Sequence, residues 1–113
     1  MENCLFCKIV RNEIPSSKVY EDDKVLAFND IDPKAPTHIL IIPKKHIASV
    51  AALEDEDYEL VAHIVRTAKQ LAVDKGLDNG FRLVANTGRD GGQTVDHLHF
   101  HLLGGRAFGW PPG

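Results

Sequence analysis

Apolar positions in the second half of the chain recur with a helical period over residues 57–75. Acidic residues at the start of this segment and Lys75-Gly76 at its end suit the helix dipole and a glycine stop. The segment is therefore predicted to form one long helix. The apolar face of this helix consists of Leu60, Val61, Ile64, Val65, Ala68, Leu71 and Ala72.

Shorter apolar runs predict strands. A hairpin is predicted from segments 18–21 and 25–28, which flank a turn. The next segment, 38–43, is β-branched and apolar on both faces, as in a central strand. Another strand is predicted over 81–85, directly after the Asn79-Gly80 turn. A fifth strand is predicted over 95–103, after a glycine-rich loop. With a short helix over 4–13, this order indicates an α+β fold with a largely antiparallel five-stranded sheet, one long helix and one short one.

Length and composition narrow the function classes. The chain has 113 residues, 43% of them apolar and 26% charged, which is typical of one globular domain spanning 1–113. Its net charge is −3 and it has no basic block, so we expect no nucleic-acid partner. It also has no apolar run long enough for a bilayer and no leader-like start, so we expect a cytoplasmic protein without membrane contact.

Three histidines alternate at 97, 99 and 101 with apolar residues. If this segment is a strand, the three imidazoles share one face, with neighbours about 6.6 Å apart along the strand. That spacing prevents all three from binding one metal ion without a bulge. The spacing favours either different roles for the three histidines along a cleft, or two histidines that bind a metal together with residues from elsewhere in the chain.

Two cysteines, Cys4 and Cys7, have the C-x-x-C spacing. In a reducing compartment a structural disulfide is disfavoured, which leaves a metal site, a redox pair or two incidental thiols. The surrounding sequence lacks the βαβ unit of a thioredoxin-like redox site, and two thiolates at this spacing can reach one tetrahedral ion.

The motif around the histidines resembles the H-x-H-x-H signature of the histidine-triad nucleotide-binding family, and other segments resemble its Hint branch. The resemblance covers nearly the whole chain. Its segments are FNDIDP with APTH, IPKKHI, NTG, GGQTV, HLHFHLL, and GGR with the ending WPPG.

This resemblance implies a purine nucleoside phosphoramidase that releases an amine from a nucleoside 5′-phosphoramidate. His99 would be the nucleophile, forming a nucleotidyl-histidine intermediate that water resolves. His101 would contact the phosphate, and His38 would orient His101 or relay protons.

The resemblance also implies the binding residues for the nucleotide. Asn86, Gly92 and Thr94 would hold the phosphate together with His99 and His101, and Asp30 would accept hydrogen bonds from the ribose hydroxyls. The expected walls of the purine pocket are Leu5, Phe6, Ile9, Phe28 and Ile31.

Zinc and dimerisation are implied in the same way. Cys4 and Cys7 would combine with His46 and His97 in a structural Cys2His2 zinc site that catalysis does not require. The protein would be a homodimer whose C-terminal tail carries Trp110 toward the partner's active site.

Two other functions compete with the phosphoramidase prediction. A dinucleoside polyphosphate hydrolase would use the same triad, although the WPPG ending favours the Hint branch. A purine nucleotide-binding or interaction protein without catalysis would keep the triad as a binding site. A hexose-phosphate nucleotidyltransferase is disfavoured because Leu98 and His101 do not match its His-Pro-His-x-Gln motif.

Overall fold

A computed structural model describes residues 3–113 of the chain. Within that range no helix is long and apolar enough to cross a membrane. Short 3-10 helices lie at Val50–Ala52 and Asp55–Asp57. The α-helices and strands are α1 (Leu5–Val10), β1 (Lys18–Glu21), β2 (Val25–Asn29), β3 (Thr37–Pro43), α2 (Tyr58–Asp74), β4 (Phe81–Val84) and β5 (Phe100–Gly104).

The strands form one sheet in the order β1-β2-β3-β5-β4, and every neighbouring pair is antiparallel. This arrangement confirms the predicted α+β class and the five-stranded sheet with one long and one short helix. Strand β3 lies at the centre and is buried along almost its whole length, because both of its faces are apolar.

The two helices cover opposite faces of the sheet. On one face Ile64 and Leu71 of α2 pack against Ile39, Ile41 and other inward side chains of the strands. Because side chains alternate along a strand, the intervening residues point to the other face. There Phe6 and Ile9 of α1 join Leu26, Phe28 and Leu40. The strands are thus apolar on both sides, and the second face also holds the histidine site described below.

The predicted boundaries differ from the structure at two elements. The first helix is shorter than the expected 4–13 because it ends at Val10, and Asn12 then adopts a positive φ of 61°. The last strand begins at Phe100 instead of residue 95. Residues 95–99 leave the sheet because the Leu98 N–H donates to the Ile47 carbonyl at 2.6 Å, and the His97 ring bonds to the carbonyl of Pro43.

Candidate active site and metal centre

Strand register places two predicted site histidines side by side. His101 of β5 is paired with Leu40 of β3, and His38 is paired with Leu103 two residues further along. Both side chains therefore project from the sheet face that α1 covers in part. The remaining triad histidines, His97 and His99, precede β5 in the irregular segment, so the expectation of three histidines on one regular strand is wrong. Burial nevertheless holds both rings in place, with His97 0% and His99 4% exposed.

Hydrogen bonds fix the tautomers of this histidine group. The Nδ1 atom of His99 lies 2.7 Å from the His97 carbonyl oxygen, which can only accept, so Nδ1 carries the proton. The Nε2 atom of neutral His99 is then left with its lone pair free. A His99 ring in this state is a nucleophile whose orientation is set by the backbone.

The same reasoning extends to His38 and His101. The backbone N–H of Lys34 donates to His38 Nδ1 at 3.0 Å, so the His38 proton is on Nε2. Nε2 lies 2.9 Å from His101 Nδ1 and donates to it, which leaves the His101 proton on its own Nε2. His99 and His101 have ring centroids 5.1 Å apart. The three rings therefore form an ordered group in which His99, with its Nε2 lone pair unused, lies beside two hydrogen-bonded histidines.

Burial favours the neutral forms of His38 and His101. It lowers the pKa of His101 to about 4, helped by the neighbouring His99 and His38. Burial also lowers the pKa of His38, although the carboxylate of Asp30 opposes this effect from 3.5 Å. Asp30, His38 and His101 place three potential ligand atoms within 4.8 Å of one another. Because the facing His38 nitrogen carries a proton, these atoms form a hydrogen-bonded relay and not a set of metal ligands.

His38 and His101 line a cavity of about 590 Å³, whereas His99 is not among its lining residues. Three of the residues predicted to bind phosphate or ribose line it as well: Asn86, Thr94 and Asp30, whose carboxylate lies 3.5 Å from His38 Nε2. One Asp30 oxygen accepts the N–H of Asp32 at 2.8 Å, so this carboxylate also supports its loop. Gly92 lies in the adjoining loop with a φ of 81°, a backbone conformation that favours glycine.

Two of the apolar residues predicted for the purine pocket are far more exposed than the rest. Phe6, Ile9 and Phe28 form one buried cluster, with the Phe6 and Phe28 rings edge to face at 5.6 Å. Leu5 is 43% exposed at the start of α1. Ile31 is fully exposed because it lies in the turn after β2, so the structure does not bring it into this wall.

The C-terminal tail borders the cavity through residues that the sequence did not single out. Trp110 is 85% exposed, whereas Phe108 and Pro112 line the cavity. The guanidinium carbon of Arg106 lies 4.2 Å from the centroid of the Phe108 ring, and that of Arg82 lies 5.2 Å from it. These cation–π contacts hold the tail against β4 and the end of β5.

The predicted metal ligands meet beside the histidine group. One side-chain atom from each of Cys4, Cys7, His46 and His97 lies within 4.8 Å of the other three. His97 Nδ1 is 3.3 Å from Cys4 Sγ and 3.6 Å from Cys7 Sγ, and His46 Nδ1 is 3.2 Å from Cys7 Sγ. In tetrahedral zinc, ordinary bond lengths separate sulfur and nitrogen ligands by about 3.5 Å. The four residues therefore fit a zinc ion in both chemistry and spacing.

Hydrogen bonding also prepares His97 to bind a metal. Its Nε2–H donates to the Pro43 carbonyl at 2.8 Å, so its Nδ1 lone pair faces the two sulfur atoms. A ring nitrogen fixed in this way by a backbone carbonyl is a regular feature of metal-binding histidines. Burial and the neighbouring Cys4 raise the pKa of the Cys7 thiol, so binding a metal there must displace a thiol proton.

Sequence reasoning missed three supporting groups. The Lys34 N–H and the Pro43 carbonyl set the tautomers of His38 and His97. Both act through the backbone, so residue type carries no signal for them. Gln93 links the Ala48 and Val95 carbonyls to the Gly88 N–H and so closes the glycine-rich loop. The available sequence signal for this role was the position of Gln93, a long amide side chain between two glycines and a predicted strand.

The fold and the site together define a class: an α+β protein that sets a relay of histidines and a Cys2His2 group on one face of an antiparallel sheet. The family model described as "Scavenger mRNA decapping enzyme C-term binding" matches residues 3–107. An uncharacterized HIT-like protein of Synechocystis is 53% identical over 99% of this chain and 98% of its own length. The chain therefore belongs to the histidine-triad, or HIT, family.

Other relatives agree with this assignment. A protein of Zea mays named 14 kDa zinc-binding protein is 51% identical over 96% of this chain and 87% of its own length. A HIT family hydrolase from Legionella pneumophila superposes with a TM-score of 0.97 at 58% identity, covering 98% of this chain and all of that one. A histidine triad protein from Clostridium difficile superposes with a TM-score of 0.93 at 51% identity, covering 96% of both chains.

Proposed function

We propose that this protein is a purine nucleoside phosphoramidase of the Hint branch, which hydrolyses the P–N bond of an AMP– or GMP–amine conjugate. The observation that carries the proposal is the state of His99. Its Nδ1–H is held by the His97 carbonyl, so its Nε2 lone pair is free beside the His38–His101 relay. HIT family hydrolases among the structural neighbours support the hydrolase class.

The proposed reaction has two steps. His99 Nε2 attacks the α-phosphorus, the P–N bond breaks, and the amine leaves with a proton taken from solvent. Water then attacks the phosphorus of the nucleotidyl-histidine and gives a proton back to solvent; the P–N bond to His99 breaks, which releases the nucleoside monophosphate and restores the lone pair on His99. In both steps the His101 Nε2–H can donate to the phosphate, and His38 can pass a proton to His101 along their 2.9 Å hydrogen bond.

The nucleotide would lie across the sheet face. Phe6, Ile9 and Phe28 offer an apolar wall for the purine, with Leu5 at its exposed edge and Ile31 outside it. The Asp30 carboxylate can accept the ribose hydroxyls, while Asn86, Thr94 and the backbone at Gly92 can bind phosphate oxygens. This placement is supported by the shared cavity around Asp30, Asn86, Thr94 and His101.

We further propose that Cys4, Cys7, His46 and His97 hold a structural zinc ion. The support is the fit of the four ligand atoms and the naming of plant relatives as zinc-binding proteins. Bound there, zinc would cross-link α1 to the loops around His46 and His97. No step of the proposed hydrolysis passes through the metal.

A homodimer completes the proposal. Strand β4 is one edge of the sheet and is available to pair with a second copy. The exposed Trp110 is suited to contact the partner's site, because tryptophan is enriched at interface hot spots.

Turnover of adenosine 5′-phosphoramidate tests the central proposal. The wild-type protein should release the amine, and His99→Gly should reduce kcat by about 10⁴-fold or more, because the nucleophile is removed. The matched control is His63→Gln, which changes a histidine of α2 that contacts Asp22 outside this cavity. A His99→Gly protein that stays folded by circular dichroism and turns over normally would show the mechanism to be wrong.

A further inference from the structure

The metal ligands and the proposed nucleotide site share two direct physical connections. The first is His97 itself. Its ring faces the cysteine sulfurs, while its carbonyl oxygen accepts the Nδ1–H of His99 at 2.7 Å. A metal bond to the His97 ring therefore restrains the carbonyl that fixes the tautomer and orientation of the nucleophile. One residue, Leu98, separates this metal ligand from the proposed nucleophile in the chain.

The second connection is Phe6, which lies between the two cysteines in the sequence. Its ring is 4% exposed and makes edge-to-face contacts with His97 at 6.0 Å and His99 at 5.1 Å. The same ring packs on Phe28 at 5.6 Å within the apolar wall. A metal held by Cys4 and Cys7 would thus clamp the turn that carries a wall residue of the proposed purine pocket.

The other restraints on this turn are weak. Helix α1 has only six residues, and its side-chain cap is the Cys4 sulfur, a weak acceptor that takes the N–H of Cys7 at 3.3 Å. Without a metal, its position depends chiefly on apolar packing. In metal-free protein, a ligand that needs Phe6 and His99 in fixed positions must itself supply the free energy that orders them. In metal-loaded protein, the metal would supply part of that free energy.

From these contacts we infer that metal binding at Cys4, Cys7, His46 and His97 and purine nucleotide binding are positively coupled, with Phe6 and the His97 carbonyl carrying the coupling. The inference rests on the nucleotide site proposed above and adds a role for the metal: it organises the binding surface without entering the chemistry. Since linkage is reciprocal, bound nucleotide must tighten metal binding by the same factor by which metal tightens nucleotide binding.

Two binding measurements test the coupling without any turnover. Calorimetric titration of AMP into zinc-loaded and metal-free protein gives one ratio of dissociation constants. Competition for zinc with a chromophoric chelator, with and without saturating AMP, gives the other. We expect both ratios to be about tenfold, within the range usual for coupled sites.

Two matched variants separate local coupling from a general effect of folding. Phe6→Leu removes the ring between His97 and His99 and should lower the coupling factor to the part that the His97 carbonyl carries, even if each ligand alone binds more weakly. Tyr58→Leu changes an exposed aromatic residue at the start of α2 and should leave the factor at its wild-type value.

Three results would overturn the inference. One is a zinc affinity that saturating AMP leaves unchanged, although AMP itself binds the zinc-loaded protein. Another is an equal coupling factor in all three proteins, which would assign the linkage to global folding instead of Phe6. Failure of the zinc-loaded protein to bind AMP at all would contradict the nucleotide site itself, and the coupling with it.

Discussion

His101 is half-buried between two other imidazoles, and this position determines its protonation. Its pKa lies at about 4, against the usual 6.5, because burial and the neighbouring rings disfavour the imidazolium. Between these two values the unfolded chain binds a proton at this residue and the folded chain does not. Folding stability should therefore fall as the pH drops from about 6.5 toward 4, and it gains nothing further from this group above that window.

Proton NMR of the imidazole ring protons measures this property directly. The His101 resonance, assigned by its loss in His101→Gln, should titrate with a midpoint near pH 4 in the folded protein. A midpoint at or above 6.5 would mean that His101 is solvated or paired with a carboxylate. The relay derived from the neutral tautomers would then be wrong.

At the residue scale, the sequence predicted the histidine and cysteine side chains of the site but not the backbone groups that orient them. The alternating histidines and the cysteine pair were visible because imidazole and thiol are uncommon at such spacings. The Lys34 N–H and the Pro43 carbonyl, which set the tautomers, were not visible because every residue but proline carries both groups. For Ile31 the family resemblance implied a place in the purine wall, but the side chain lies exposed in a turn.

At the scale of elements, periodicity predicted the helices and strands well and their ends less well. Helix α2 follows the predicted 57–75 segment to within one residue at each end, because a long amphipathic repeat leaves little choice of face. The strand expected from residue 95 begins at Phe100. Apolar and polar residues alternate through 95–99 as in a strand, but there the chain forms hydrogen bonds to the carbonyls of Pro43 and Ile47. These contacts join distant segments, so no local sequence pattern predicts them.

Zinc removal is the prediction that belongs to this scale, because the Cys2His2 group connects α1 to two loops. Protein purified without chelator should contain one zinc per chain by elemental analysis, and Cys4→Ser with Cys7→Ser should contain none. With free zinc at about a thousand times its dissociation constant, linkage makes the metal worth about 4 kcal/mol of unfolding free energy. The double variant should lose about that amount in urea denaturation.

The control for this measurement is the wild-type protein after chelation and zinc return, which should recover the full stability. Wild-type protein without stoichiometric zinc, or a double variant with unchanged metal content, would contradict the zinc site.

For the molecule as a whole, the C-terminal tail holds two cavity residues that the sequence did not reveal. Phe108 and Pro112 border the cavity, and the guanidinium groups of Arg82 and Arg106 contact the Phe108 ring, while Trp110 projects into solvent. A single sequence cannot show which residue of a short tail faces inward when the arginines that hold it lie in β4 and just after β5. The proposed dimer would give Trp110 its contact on the partner.

Deleting residues 107–113 should change the preference among amine leaving groups, because the deletion removes part of the cavity wall. A panel of adenosine phosphoramidates with small and bulky amines measures this as a change in relative kcat/KM of about tenfold, roughly 1.4 kcal/mol of differential contact. Sedimentation of both proteins shows whether the dimer persists. An unchanged order of preference would exclude the tail from leaving-group recognition.

The central claim is that the nucleotidyl group passes through His99, and trapping the intermediate tests it most directly. The zinc-loaded protein is mixed with adenosine 5′-phosphoramidate, quenched within one turnover at alkaline pH, digested and analysed by mass spectrometry. We predict an acid-labile nucleotidyl group whose fragment ions place it on His99, distinct from His97 and His101. Turnover with no protein-bound nucleotide, or with the group on another residue, would contradict the account.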